Sequence, residues 1–270
     1  MPLFRGPASI IVNFARTTWF RDVNIATSRP ARAAHPLAIG QSTMSLFPPI
    51  DLVALGCFVG AWLGYAALVE WTSHGRDGLS AHMDRYREVW IRRMLRRDAR
   101  MVDMQIMAAL QNGTAFFAST SLIAIGGTLS LLRSTEDVLT VMAALPLGVA
   151  TSRAQWEAKT IGLVIIFAYA FFKFAWSYRL YNYVSILLGA MPFSAECDTP
   201  EAEAHIRRTA RMFKSAGRHF NRGQRGFFLA LGYLGWFAGP YVLIVSTLAV
   251  VGVLWRRQFA SESRKAVMED

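Results

Sequence analysis

Apolar residues in this chain gather in long blocks, not in the period-two alternation of strands. Leu52 to Val69 runs 18 residues without a charge, just enough for a helix to cross a bilayer core. Pro48-Pro49-Ile50-Asp51 opens it with proline at the helix start and an acid in the first turn. A second block, Ala108 to Leu132, is studded with Gln111, Asn112, Thr114, Ser119, Thr120 and Ser121 and ends at Arg133. A third starts near Thr160 and continues to about Ala190, where Met191-Pro192 stops it. The last, Phe227 to Leu254, is broken by Gly239-Pro240 and stops at Arg256-Arg257. Val138 to Ala150 is also apolar, but this short run, interrupted by Pro146 and Gly148, cannot span and predicts an interfacial or re-entrant piece.

The intervening segments follow a different pattern. In residues 71–107, after a turn at Gly75-Arg76-Asp77-Gly78, Met83, Tyr86, Trp90, Met94, Met101 and Ile106 recur at helical spacing among eight arginines. Thr199-Pro200-Glu201 is a helix start, and Ile206, Phe213 and Phe220 follow at seven-residue intervals through another basic stretch, 200–222. Both read as amphipathic basic helices lying on the membrane surface or along the bundle. The predicted fold is therefore all-α: a polytopic membrane protein of four transmembrane helices with amphipathic basic helices on its cytoplasmic side. Residues 46–257 form the membrane domain and 258–270 a polar tail. Residues 1–45 hold five arginines against one acid and read as a disordered leader or as an over-extended start ahead of Met44.

Composition sharpens this picture. The chain is 53% hydrophobic and 17% charged, with a formal net charge of +11. Ordinary soluble domains carry about 25% charged residues. Two cysteines, Cys57 and Cys197, exclude a disulfide scaffold, and Cys57, inside an apolar span, reads as a packing residue. Basic stretches attached to apolar spans favour anionic lipid headgroups as partner over nucleic acid. Residues 71–107 and 191–226 together hold 15 basic residues, whereas 134–158 holds only Arg153. The excess orients those two segments toward the cytoplasm and both chain ends outward. The tail basics Arg256, Arg257, Arg264 and Lys265 argue weakly for the reverse.

Few residues point to chemistry. Lys173 is an intramembrane charge, readable as part of an ion path or as a lysine snorkelling toward the interface. Gln111 and Asn112 stand on a small, polar face of the second span that reads as helix packing or as a ligand lining. Gln111, Asn112 and Lys173 are the candidate intramembrane polar site. Gly56, Gly60 and Gly64 recur every fourth residue, and Gly235 and Gly239 repeat the spacing; both series predict close helix packing, with a second copy of the chain as the other possible partner for the first. Gly239-Pro240 predicts a kink, because Pro240 cannot bond the Trp236 carbonyl. The five histidines lie outside the spans, and no catalytic, haem, phosphate-loop or metal signature appears, so no cofactor is expected. Only Glu70 with His74, joined by an acid such as Asp103, offers a conceivable metal cluster.

Three stretches carry a family resemblance: Leu110-Gln-Asn-Gly-Thr-Ala-Phe-Phe-Ala-Ser-Thr-Ser-Leu-Ile-Ala-Ile-Gly-Gly127, Phe171-Phe-Lys-Phe-Ala-Trp-Ser-Tyr-Arg-Leu-Tyr-Asn-Tyr183 and Arg225-Gly-Phe-Phe-Leu-Ala-Leu-Gly-Tyr-Leu-Gly-Trp-Phe237. Over about residues 46–257 the chain resembles the predicted integral membrane proteins catalogued as domain of unknown function 599. The resemblance implies a multi-span protein of a bacterial inner membrane and no particular activity. Three functions stand, in this order: a structural, assembly or interaction subunit, a small transporter or channel using Lys173 and Asn112, and a lipid-modifying enzyme.

Overall fold

A computed structural model of the chain describes residues 46–72, 75, 77–144 and 151–268. Regular structure among them is helical throughout. The helices are α1 (Pro49–Trp71), α2 (Leu79–Leu95), α3 (Met101–Arg133), α4 (Thr135–Ala144), α5 (Arg153–Gly189), α6 (Pro200–Tyr233), the single turn α7 (Gly235–Ala238), α8 (Pro240–Phe259) and α9 (Glu262–Met268). Four stretches are long and apolar enough to cross a membrane: Pro49–Trp71, Met101–Arg133, Arg153–Gly189 and Pro240–Met268, the last comprising α8 and α9. The leader, His74, Arg76, Pro146 and Gly148 lie outside the described residues, so the expectations placed on them have no structural counterpart.

Local sequence explains the helix starts. Pro49 occupies the first turn of α1 with Asp51 beside it, where a missing N–H costs nothing and a negative charge meets the positive helix end. Ser152 and Gln155 cap α5 reciprocally, satisfying two otherwise orphaned amides. This cap starts α5 two turns before Thr160. Thr199 accepts from the Ala202 amide at 3.2 Å and starts α6 ahead of Pro200 and Glu201.

The long helices α5 and α6 run antiparallel along their whole length and form the spine. His205 meets the Leu187 carbonyl, Ser177 donates to the Ala216 carbonyl at 2.8 Å, and Tyr233 donates to the Lys159 carbonyl at 3.1 Å. Helix α3 lies on α5 through a narrow seam: Met107, Thr114, Ser121 and Thr128 are buried at seven-residue intervals. Helix α2 runs antiparallel to the first half of α6, held by Arg92 on Glu203, Lys214 on Glu88 and Arg218 near Asp84. Its buried Ile91, Met94 and Leu95 join Val184, Leu188, Ile206 and Phe213 in one core cluster. A second cluster joins Ala54 and Phe58 of α1 to Leu163, Phe167, Leu229, Tyr233, Trp236 and Leu243.

Three sequence expectations change. The basic segment 71–107 is not one helix: α2 ends at Leu95, and Met101 and Ile106 belong to α3, both exposed. The last apolar block is not one kinked span. Phe227 to Tyr233 completes α6, which passes through Gly223 and Gly226 without a break. The chain then reverses at Gly239, whose φ of 136° suits glycine alone, and α8 returns antiparallel to the end of α6. Ser246 Oγ donates to the Gly232 carbonyl at 2.6 Å, and Arg257 lies over Phe228. An apolar run of 28 residues looks like one span, but a glycine at positive φ followed by proline turns it into a hairpin.

The reversal also relocates the tail. Gln258 accepts from Ser80 at 3.0 Å, and Arg264 donates to the Asp77 carbonyl at 2.9 Å. The C-terminal residues therefore lie beside α2, whereas the start of α1 lies at the far end of the bundle, where Gln155 donates to the Leu46 carbonyl. The two ends of the described chain are at opposite ends of the molecule, not on one side. Arg256, Arg257, Arg264 and Lys265 thus reinforce the basic end formed by α2 and α6 instead of opposing it.

Candidate functional site

Polar side chains at membrane depth form two clusters, one at each end of the apolar layer. At the end where α1 begins, Lys159 of α5 is 5% exposed and Asp51 is 7% exposed. Their charged atoms stand 3.9 Å apart. Trp236 sits between them: its indole donates to Asp51, and its carbonyl accepts from Lys159 at 3.0 Å. That carbonyl is the one Pro240 leaves without its helical partner. It accepts instead from the Gly239 amide at 3.2 Å and from the lysine ammonium, which lies 5.3 Å from the Trp236 ring centre. The cluster fastens α1, α5 and α7 together, and every charge in it faces a partner.

At the basic end, Glu70 closes α1 and receives Arg222 at 2.6 Å and 2.9 Å in a two-pronged contact; Arg225 completes the triad. Arg218, Arg222 and Arg225 follow at spacings of four and three, so α6 presents them along one stripe. Together with Asn221, Ser80 and Asp84 they line a cleft of about 350 Å³ between α1, α2 and α6. Ser80, Asn221 and Arg225 continue into an adjoining cavity of about 160 Å³ that adds Tyr65, Gln224, Arg257 and Gln258. Farther out, Lys214 donates to Glu88 at 2.6 Å, and this hydrogen bond is the main influence holding the Glu88 carboxyl below its ordinary value. Arg92 does the same for Glu203.

The sequence-predicted site residues are not brought together. Gln111 donates to Asn182 at 2.8 Å and Ser185 at 3.0 Å, a bond between α3 and α5. Asn112, its neighbour, is exposed on the opposite side of α3. Lys173 lies over the Tyr169 ring, nine residues from Asn182 and so about 13 Å away along the helix. None of these three lines the cavities at the basic end. Asp103 is taken by Trp90 and Arg97, and Glu70 by its arginines. Among the described residues no group of three metal-ligating side chains forms.

The glycines divide in the same way. Among the described residues, a β-carbon at Gly56, Gly60 or Gly64 would meet nothing within 4 Å, and Cys57 beside this series is exposed. The expected intrachain partner is not found among the described residues, because α1 turns its other side, Ala54, Phe58 and Tyr65, into the bundle. Gly235 does pack closely, its β-position 2.8 Å from the Val242 carbonyl, while Gly239 serves the turn. The α5–α6 spine also packs closely at glycines that the spacing did not mark, Gly223 against Phe174 and Gly226 against Tyr169, each at 2.9 Å. The signal that could have found them is their three-residue separation within a helix otherwise rich in bulky side chains.

No curated protein and no solved structure matches the chain. Residues 53–263 match a family described as protein of unknown function, DUF599. That match spans all four membrane-length stretches, both polar clusters apart from Asp51, and the basic helices, so the chain belongs to this family of multi-pass membrane proteins.

Proposed function

We propose that the protein is a structural or interaction subunit of a bacterial inner membrane, with its basic end toward the cytoplasm, and that α3 is its docking helix. The observation that carries this reading is the packing of α3. Its 33 residues bury one seam of Met107, Thr114, Ser121 and Thr128, together with Asp103 near its start. The opposite arc carries Asn112, Phe116, Ser119, Ile123, Gly127 and Ser130, all exposed. Polar and small side chains facing lipid gain by meeting another helix, which accepts their hydrogen bonds and approaches closely at glycine. A second copy of the chain is the partner we place first, since paired chains related by a twofold axis are the commonest assembly.

The transporter alternative draws less support. Lys159, Asp51, Glu70, Arg222 and Arg225 are consumed in contacts between helices, and Lys173 and Asn112 share none of the described cavities. The test is photo-crosslinking in native membranes from a reactive side chain placed at Ser119, with one at Phe172 as comparison. A product of twice the chain mass from Ser119 is the expected result. Lipid adducts alone from Ser119 would refute the docking role of α3.

A further inference from the structure

Three cavities at the basic end join in a line, and their linings change from apolar to cationic along it. The first is a groove between α6 and α8, walled by Phe228, Ala249, Val250, Val253 and Leu254, about 180 Å³ in volume and bounded by Arg257. Phe228, Leu254 and Arg257 also line the second cavity, the one reached by Tyr65 and Gln258. Ser80, Asn221 and Arg225 carry that space into the third, the arginine cleft. The line thus starts on the lipid-facing surface and ends among guanidinium groups.

Depth and charge define what fits it. Tyr65 donates to the Leu254 carbonyl at 3.0 Å, five residues before Glu70, the first charge after the apolar run of α1. Arg257 therefore stands where hydrocarbon gives way to headgroups. Ala249 lies eight residues deeper, about 12 Å along α8. Arg222 and Arg225 share the single carboxylate of Glu70, which leaves that triad one net positive charge, and Arg218 faces Asp84 at 3.7 Å. Arg257 has no carboxylate partner among the described residues; its guanidinium rests 5.6 Å from the Phe228 ring centre. In the same wall, the Gln258 amide nitrogen is buried with no hydrogen-bond acceptor. An unpaired planar cation beside an unmet donor suits a phosphate, which guanidinium groups grip through two oxygens at once. An adjoining apolar groove running into the bilayer suits an acyl chain.

We infer that this line binds one anionic phospholipid, its phosphate on Arg257 and its upper chain in the α6–α8 groove. The site is independent of the α3 face and of what docks there. Free phosphate shares the headgroup chemistry but has nothing to place against Ala249 and Val253, so the groove decides between the two sources.

The test is native mass spectrometry of the full chain in detergent, titrated with phosphatidylglycerol, phosphatidylcholine or inorganic phosphate. Phosphatidylglycerol should bind about tenfold more tightly than phosphatidylcholine, whose phosphate meets Arg257 equally but whose choline cation the guanidinium groups of the adjoining cleft repel. Arg257→Gln should lose about that tenfold. Ala249→Trp, which fills the groove from an exposed position, should weaken phosphatidylglycerol binding as well. Arg256→Gln, one residue away and outside all three linings, should bind like the parent. Each variant's melting temperature is read alongside, so that loss of binding is scored only on folded protein. Parent-like phosphatidylglycerol binding by Arg257→Gln, or equal binding of both lipids by the parent, overturns the site. Displacement of phosphatidylglycerol by inorganic phosphate, with no effect of Ala249→Trp, overturns the lipid and leaves an anion.

Discussion

Neutralising both halves of the Asp51–Lys159 pair should cost less than the sum of neutralising each alone. The two charges stand 3.9 Å apart, which corresponds to about 4 kcal/mol at an effective dielectric of about 20. Taking both ions out of water offsets much of that gain, so the intact pair is nearly neutral for stability. Removing one partner is different. Lys159→Met leaves the Trp236 carbonyl with the Gly239 amide alone and leaves Asp51 buried without a counter-charge, a loss of about 3–5 kcal/mol. Asp51→Asn keeps an acceptor for the Trp236 indole but leaves the ammonium facing a carbonyl and a ring, with a loss of about 2–3 kcal/mol. The double variant should recover about 2 kcal/mol relative to the sum of the singles. The assay is equilibrium unfolding in mixed micelles titrated with a denaturing detergent, followed by the emission of the chain's eight tryptophans, Trp236 among them. Additive losses would mean that the charges are not coupled and that the lysine serves only the carbonyl freed by Pro240.

Gly223→Val and Gly226→Val should each cost about 1–3 kcal/mol by overpacking the α5–α6 spine, read as a lowered melting temperature, because their β-positions already stand 2.9 Å from Phe174 and Tyr169. Gly60→Leu should leave the melting temperature of the single chain unchanged, since nothing among the described residues lies within 4 Å of it; a large drop would show that the groove packs within the chain. The Glu88 carboxyl is held below its ordinary value of 4.5 chiefly by the hydrogen bond from Lys214. A lowered native value favours folding fully above the unfolded value and loses that contribution as pH falls through the native one, so acidification below about pH 4.5 should lower the hydrogen-exchange protection factors of Leu79–Leu95, taken relative to intrinsic rates at each pH, and protection factors that are flat with pH would refute it. Cysteines placed at Arg93, Arg211 and Glu262 should share one labelling side in intact cells, with Glu136 on the other, because the tail lies against α2; opposite labelling of Arg93 and Glu262 would refute the hairpin.

Much of the architecture was legible in the chain because it depends on interactions local in sequence. In a bilayer the backbone must bond to itself, so a long apolar run becomes a helix almost regardless of its neighbours. The blocks beginning at Leu52, Ala108 and Thr160 are helices for that reason. The caps at Ser152 and Thr199 are equally local: a short side chain, a nearby amide and a residue suited to the first turn. Charge counts likewise set which segments cluster at the basic end.

What only the tertiary structure decided is which faces meet and which way the chain turns. Gly239-Pro240 reads as a kink in one span from sequence alone, and the reversal found instead depends on contacts made elsewhere: Lys159 on the Trp236 carbonyl and Ser246 on Gly232. Hydropathy cannot rank faces within a span, because lipid and neighbouring helices are equally apolar and the gain comes from shape. Hence Gly56, Gly60 and Gly64 form the most regular glycine series in the chain yet meet no neighbour among the described residues, while Gly223 and Gly226 receive the aromatic rings of α5. Lys173 was the conspicuous charge because it ends the longest uncharged run of α5, whereas Lys159, about two turns inside the cap, is the lysine the fold encloses. Enclosure comes from residues far away in sequence, Asp51 and Trp236, which only the folded helix bundle brings to it.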